Sequence, residues 1–304
     1  MSHPRADIAL LTDRRYVAAM AEPDDWYLGN ILADDGLLQA GLAGRGLTSV
    51  RVDWADPAVD WSAFRCTVFR TTWDYFERLG EFSAWLEAVA GRTRLCNDRD
   101  TVAWNIDKHY LADLEACGVP VVPSRFIERG SIAPLADVLA ASGWDEAVIK
   151  PCVSGAARHT YRLVPDNAAR IDAVVRPLLE VESFLLQPFL PDVVATGEDT
   201  LVVIDGQCTH ALRKRAKPGD FRVQDDHGGT VHECQPTAAQ VELAEAAMAA
   251  CPRRPAYGRV DMVRDRDGRH VVMELELVEP ELWLRRHPPA AAALAAAIAR
   301  VVEA

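Results

Sequence analysis

The stretch that decides the fold is GRVDMVRDRDGRHVVMELELVEP, residues 258–280. Apolar and polar residues alternate on both sides of Asp267-Gly268, a dipeptide suited to a two-residue type I′ turn, whose central positions both need φ > 0. A β-hairpin is therefore predicted, with Arg266 facing Arg269, Asp261 facing Glu274 and Arg259 facing Glu276. Side chains two apart share a face, so all four of these inner residues fall on one side of the hairpin. Acids opposed at about 5 Å between Cβ atoms repel unless a positive charge stands between them, and a divalent cation is the candidate that this pattern suggests.

Composition narrows the class. With 304 residues, 49% of them hydrophobic, the chain can bury sizeable cores and is expected to build two or three units. A net charge of -12 argues against a nucleic-acid partner, and the one basic run, RKRAK at 213–217, suits a small anionic ligand instead. The sequence opens without a charged-then-apolar leader, and the apolar run at 290–302 is too short and alanine-rich to span a bilayer. No membrane partner is expected, and the expected location is the cytoplasm. Seven cysteines with no C-x-x-C pair fit neither a disulfide framework nor a zinc site, so Cys152 is read as a packing residue.

Strands are predicted at 7–12, 49–54, 67–72 and 94–97, with helices at 36–45 and 81–90 between them. Such alternation implies an α/β fold class with a doubly wound parallel sheet, whose ligands sit beyond the C-terminal strand ends. RTTWD at 70–74 occupies such an end, which makes Thr72 and Asp74 candidate substrate contacts; a Trp-anchored turn is the plainer alternative. One amphipathic helix is predicted over 101–117, with Lys108 in its middle and Gly118 and Pro120 closing it. Further strands are predicted at 121–127, 147–150, 160–164, 183–187, 200–205 and 209–214, and helices at 167–179, at 238–250 and from Pro288-Pro289 onward.

Three other stretches carry chemistry. In VIKPCVSG at 148–155 a lysine ends an apolar strand and a small-residue loop follows, so N–H groups at Ser154 and Gly155 can cradle phosphate oxygens while Lys150 supplies a point charge. The order of a Walker A motif is absent, and a hairpin loop with a snorkelling lysine is the alternative. In LQPFL at 186–190, Pro188 offers only a carbonyl and Leu190 keeps its N–H, the acceptor-then-donor pattern of an adenine edge. Glu198, in TGEDT at 196–200, can accept both hydroxyls of a ribose.

The joint order of NIDK at 105–108, GVP at 118–120, IKP at 149–151, the 187–190 connector, and Arg259-x-Asp261 followed by Glu274-x-Glu276 resembles the ATP-grasp carboxylate–amine ligases. The resemblance covers nearly the whole chain. It implies an N-terminal domain at 1–98 and two α+β subdomains, 99–187 and 188–304, clasping ATP. It also implies Lys108 and Lys150 on the α- and β-phosphates, Ser154 and Gly155 over the γ-phosphate, Gln187, Pro188 and Leu190 on adenine, and Glu198 on ribose. Asp261, Glu274 and Glu276 would hold two Mg²⁺ ions, with Mn²⁺ as a substitute; Glu276 stands where the family usually has Asn. GDFRVQDDHGG at 219–229 is similar to the arginine loop of the glutathione synthetase branch, which places Arg222 at the γ-phosphate or the acceptor carboxylate. Arg213 and Lys214 are weaker candidates for that work. A homodimer is the assembly that the likeness implies.

Catalysis in this family activates a carboxylate as an acyl phosphate for attack by nitrogen, a step that rests on positioning and charge neutralisation. Arg259 is then the candidate to stabilise the oxyanion, with a structural salt bridge to Glu276 as the competing reading. LVEPELWL at 277–284, with RTTWD, RHTY at 158–161 and QDDHGG at 224–229, resembles the branch of ring-closing O-ureido-D-serine cyclo-ligases. That likeness implies a small amino-acid-like substrate whose ammonium Asp74, Glu279 or Glu281 would hold. A ligase joining two separate substrates and a non-catalytic nucleotide-binding regulator are the competing readings.

Overall fold

The computed structural model describes residues 6–224 and 227–303. Its first part runs β1 (Ile8–Thr12), α1 (Trp26–Ala43), β2 (Ser49–Asp53), β3 (Cys66–Thr71), α2 (Leu79–Ala90) and β4 (Arg94–Cys96). There follow α3 (Arg99–Asn105), α4 (Tyr110–Ala116), β5 (Arg125–Ile127), α5 (Leu135–Ser142), β6 (Ala147–Pro151), β7 (Tyr161–Leu163), α6 (Ala168–Leu179) and β8 (Phe184–Pro188). The last part holds α7 (Asp192–Ala195), β9 (Glu198–Ile204), β10 (Gln207–Arg215), β11 (Thr230–Cys234), α8 (Ala238–Ala249), β12 (Tyr257–Arg264), β13 (His270–Glu276) and α9 (Pro289–Glu303).

The first sheet is parallel, in the order β2-β1-β3-β4, as the alternation predicts. Both faces are covered, which is why β1 is apolar at successive positions. Ile8 and Leu10 pack against Leu38 and Leu42 of α1, while Ala9 and Leu11 pack against Phe82 and Leu86 of α2. The helix expected at 36–45 starts ten residues earlier, because the Asp25 side chain accepts the Leu28 N–H at 3.0 Å and caps it. α9 was grouped by sequence with 188–304, yet Leu294 and Ile298 complete the cluster around Ile8 and Leu10. Small residues permit this: a Cβ at Gly41 would come within 3.0 Å of the Ala295 Cβ. No helix among the described residues is long and apolar enough to cross a membrane.

Two antiparallel sheets follow, ordered β5-β8-β6-β7 and β11-β10-β9-β12-β13. In the latter, Leu201, Val203, Val260 and Met262 face Ala244, Ala247 and Met248 of α8, so Thr200, Arg259 and Asp261 face the other way. α5 and β11 were not anticipated.

Two local departures from expectation position the site. The helix predicted over 101–117 is broken between α3 and α4. Asn105 there spends its amide on β13, donating to the Leu275 carbonyl at 2.8 Å and accepting from the Leu277 N–H at 2.7 Å. The Lys108 N–H donates to the Cys152 carbonyl at 2.9 Å, so Lys108 stands outside either helix rather than mid-helix.

The hairpin is the second departure. Its turn has three residues, Arg266 to Gly268, not two: the Asp265 carboxylate accepts the N–H groups of Asp267 and Arg269, both at 2.9 Å, and only Gly268 takes positive φ. This shifts the pairing by one residue, giving Arg264 opposite His270 and Met262 opposite Val272. A β-bulge then absorbs Met273 and restores the predicted register, with Asp261 opposite Glu274 and Arg259 opposite Glu276.

Candidate active site

A cleft of about 1250 Å³, mouth included, opens between the two antiparallel sheets, room enough for a nucleotide. Lys108, Lys150, Ser154, Gly155, Gln187, Pro188, Leu190, Glu198, Arg222, Arg259, Asp261, Glu274, Glu276 and Glu279 all line it. These fourteen come from three parts of the chain, and the hairpin and the α3–α4 break bring them together.

What stands between the facing acids is protein cations. Asp261 accepts two hydrogen bonds from Arg259, both at 2.9 Å, one from Lys214 at 2.8 Å and one from the Thr200 hydroxyl. Arg259 also pairs with Glu276, the alternative that the sequence left open for it, and lies 5.2 Å from the Trp283 ring centroid. Lys108 sits 3.1 Å from Glu274 and donates to the Ser154 carbonyl at 2.8 Å.

Burial works to raise the Asp261 carboxyl, but Arg259 and Lys214 outweigh it and hold it well below the usual range. Burial likewise opposes Lys108 and Lys150 in holding Glu274 below its ordinary value. Burial pushes Glu276 and Glu198 up to about 7. Lys150 differs from the other cations. Burial lowers its pKa, and among the described residues its ammonium has no hydrogen-bond or ion-pair partner.

Lys214 is the residue that sequence reasoning undervalued. Arg213 points to the opposite face, bound to Asp199 at 2.6 Å, whereas Lys214 reaches both Glu198 and Asp261. Alternation carried the signal: Lys214 lies across from Glu198 in the β9–β10 ladder, so a cleft role for one implies it for the other.

Four further candidates fall outside the cleft. Arg213 is spent as described. Asp74 accepts the Trp54 indole N–H at 2.7 Å and pairs with Arg78 at 2.8 Å, which makes it a fastener of the parallel sheet's edge. Thr72 is fully buried away from the cleft. Glu281 lines an adjoining chamber and pairs with Arg285 at 2.7 Å.

The loop after β6 has an unusual backbone: Ala156, Ala157 and His159 take φ of 49, 54 and 48°. Left-handed conformations at non-glycine residues are strained, and they turn successive N–H groups into a concave cradle suited to phosphate. Gly155 is required for another reason, since a Cβ there would meet the Phe76 ring at 2.6 Å. His227 Nε2 and the Ala156 carbonyl, 3.2 Å apart, join this loop to the 219–229 loop, of which residues 225 and 226 lie outside the described residues. Arg222 in that loop is held by Asp220 at 2.8 Å. At the far end of the cleft the Leu190 N–H has no acceptor among the described residues.

Asp261, Glu274 and Glu276 are an oxygen-only donor set, the kind that hard cations such as Mg²⁺ take. Their carboxylates do not converge within 4.8 Å; among the described residues Asp107, His109 and Cys152 do. That group is self-satisfied, with the Asp107 carboxylate taken up by the His109 ring and N–H at 2.5 and 3.0 Å. Cys152 is sealed beside it, as its packing role implies.

Comparison with known proteins places the chain in a family and a fold. A family model of the D-cycloserine synthetase DcsG N-terminal domain matches residues 8–97. The cycloserine biosynthesis protein DcsG of Streptomyces lavendulae is 38% identical over 261 residues, taking in 79% of this chain and 84% of that protein. The crystal structure of D-cycloserine synthetase DcsG is similar over 97% of this chain and 99% of that one, with a TM-score of 0.82 and 34% identity. The fold is shared more widely: D-alanine–D-alanine ligase of Bacillus anthracis superposes with a TM-score of 0.66 at 15% identity, covering 98% of this chain and 97% of that one. The ATP-grasp ligase PsnB, in complex with a precursor variant, Mg and ADP, gives 0.63 at 18%, covering 98% and 99%. The chain belongs to the DcsG family of D-cycloserine synthetases, built on the ATP-grasp fold.

Proposed function

We propose that the chain is an ATP-dependent ligase that activates the carboxylate of O-ureido-D-serine as an acyl phosphate and closes it on its own nitrogen. Family membership supports the reaction. The observation that carries it here is the arrangement around Arg259, which lines both the nucleotide-sized cleft and a second chamber beside it, together with Lys214, Glu276 and Glu279. A carboxylate bound in the second chamber would meet a γ-phosphate at that shared wall.

The carboxylate oxygen attacks the γ-phosphorus, the bond to the bridging oxygen breaks and ADP leaves. The nitrogen attached to the side-chain oxygen then attacks the acyl carbon and loses its proton, phosphate departs, and a five-membered isoxazolidinone ring closes. Removal of the carbamoyl group with one water, as carbon dioxide and ammonia, completes the balance to cycloserine. An intramolecular attack has high effective molarity, so the site has mainly to fold the substrate and exclude water.

In this reading Lys108 and Lys150 take the α- and β-phosphates, and Ser154 and Gly155 cover the γ-phosphate. Gln187, Pro188 and the unspent Leu190 N–H take adenine, and Glu198 the ribose. Arg222 meets the transferred phosphoryl group, and Arg259 the oxyanion. Lys108 and Lys214 now neutralise Glu274 and Asp261; when they turn to phosphate oxygens, Glu274 is freed and Asp261 keeps only Arg259 and Thr200, so that these two acids, with Glu276, would hold the metal. Bound there, magnesium supplies further neutralisation of phosphate charge; we take it as two ions, with manganese a substitute.

Isotope transfer tests the activation step. With substrate carrying ¹⁸O in its carboxylate, the released phosphate is expected to contain one labelled oxygen. Unlabelled phosphate formed alongside ADP would contradict acyl-phosphate chemistry.

A further inference from the structure

The second chamber has a wall that the reaction as described does not use. Tyr16, Tyr27 and Trp73 line it together, in mutual contact at centroid separations of 5.9 Å (Tyr16–Tyr27), 5.5 Å (Tyr16–Trp73) and 5.8 Å (Tyr27–Trp73). Each ring is half-buried, not packed away. The segment that bears Tyr16 is fixed by its backbone: Arg51 donates to the carbonyls of Tyr16 and, at 2.9 Å, Ala18, and Arg51 is itself held by Asp35 at 2.9 Å. Tyr27 stands in the first turn of α1. Trp73 Nε1 donates to the Glu279 carbonyl at 2.9 Å, which joins the rings to the loop after β13.

The same chamber is lined by carboxylates in different states. Glu276 pairs with Arg259, and Glu281 with Arg285. Glu279 has no cationic partner within salt-bridge distance among the described residues, although it is half-buried and lines both chambers. The chamber lining therefore brings together Arg259 for a carboxylate, an acid with no cationic partner for an ammonium, and three aromatic faces. A ring-closing substrate carries a group for each of them. Its carboxylate and ammonium share one carbon, and a flat, uncharged carbamoyl amide ends the side chain.

We propose that Tyr16, Tyr27 and Trp73 form a specificity wall that stacks on the substrate's carbamoyl group while Glu279 takes its ammonium, an inference that rests on the ring-closing reaction above. Planar amides gain contact on aromatic faces, and a ring wall sheds water from the acyl phosphate's side of the chamber. The wall recognises the part of the substrate that a plain serine or alanine lacks.

The test compares two compounds in one ADP-release assay: O-ureido-D-serine, measured by its KM, and its aminooxy analogue without the carbamoyl group, measured by its inhibition constant. Tyr27→Ala is expected to raise the KM of the ureido compound about tenfold and leave the aminooxy inhibition constant within about twofold, the size of one lost stacking contact. The KM for MgATP stays as in the wild type, and Tyr27→Phe, which keeps the ring, behaves as wild type. Tyr16→Ala serves as a second variant should Tyr27→Ala fold poorly. Equal losses for both compounds would show a ring that only packs the protein, and unchanged constants would show one outside the substrate's reach; either overturns the wall. Absence of ADP release from the wild type with the ureido compound would instead overturn the reaction itself, and the wall with it.

Discussion

Lys150→Met is expected to leave the protein as stable as the wild type or more so, while lowering kcat/KM roughly a thousandfold. The two halves of that result have one cause. Lys150 carries its ammonium into the cleft with no hydrogen-bond or ion-pair partner among the described residues, and burial lowers its pKa. A half-buried charge with no direct partner, eased only by the field of Glu274, costs stability, and methionine fills nearly the same volume without it. The same charge, held in place before ATP arrives, is what phosphoryl transfer needs, because removing one preorganised donor from such a step costs roughly 10²- to 10³-fold. Thermal unfolding and initial rates on the purified variant measure both. A variant destabilised in proportion to its loss of activity would make Lys150 a structural residue.

The acids of the hairpin are expected to divide. Glu274→Gln should lower kcat by roughly three orders of magnitude with a changed magnesium dependence, as loss of a metal carboxylate implies. Its fold should survive, because Lys108 keeps the Ser154 carbonyl at 2.8 Å as an acceptor. Asp261→Asn should inactivate and also destabilise by about 3–5 kcal/mol, the usual cost of stripping a buried charge from its partners. Asp261 is almost fully buried and holds Arg259 and Lys214 together, so the amide would strip both cations of their shared counter-charge and leave each with one acid, Glu276 for Arg259 and Glu198 for Lys214. Urea unfolding and magnesium titrations of ADP release distinguish the two variants. Retained activity with normal magnesium dependence in either would contradict the metal assignment.

The facing of Asp261 on Glu274 was legible in the sequence for a reason only partly right. The turn has one residue more than Asp267-Gly268 suggests, and the bulge at Met273 cancels the shift. Turn chemistry local to Asp265 and a bulge five residues beyond the turn leave no signature in apolar alternation, which reports only the net register. The parallel strands 8–12, 49–53, 66–71 and 94–96 lay within one residue of expectation; the central β1, covered on both faces, is written as an apolar run. The α3–α4 break was not legible, since it exists to let Asn105 reach Leu275 and Leu277, partners 170 and 172 residues away.

The site was legible where residues sit on strands of known phase and illegible at their ends. Arg213 and Lys214 differ by one position and therefore by a whole face; the choice needed the β9–β10 register. Thr72 and Asp74 looked like site residues because β3 ends there, but only the ring of Trp73, between them, reaches a chamber. The other two rings of that wall come from the β1–α1 connection and from α1, where no motif marks them.

The measurement that tests the account most directly is ADP release from MgATP with O-ureido-D-serine as the sole second substrate, followed by mass spectrometry of the products. Release with that compound alone, in step with a cyclised product, is the predicted result. Release only when a separate carboxylate and amine, such as a pair drawn from D-serine and D-alanine, are supplied together would contradict it and make the enzyme an ordinary intermolecular ligase.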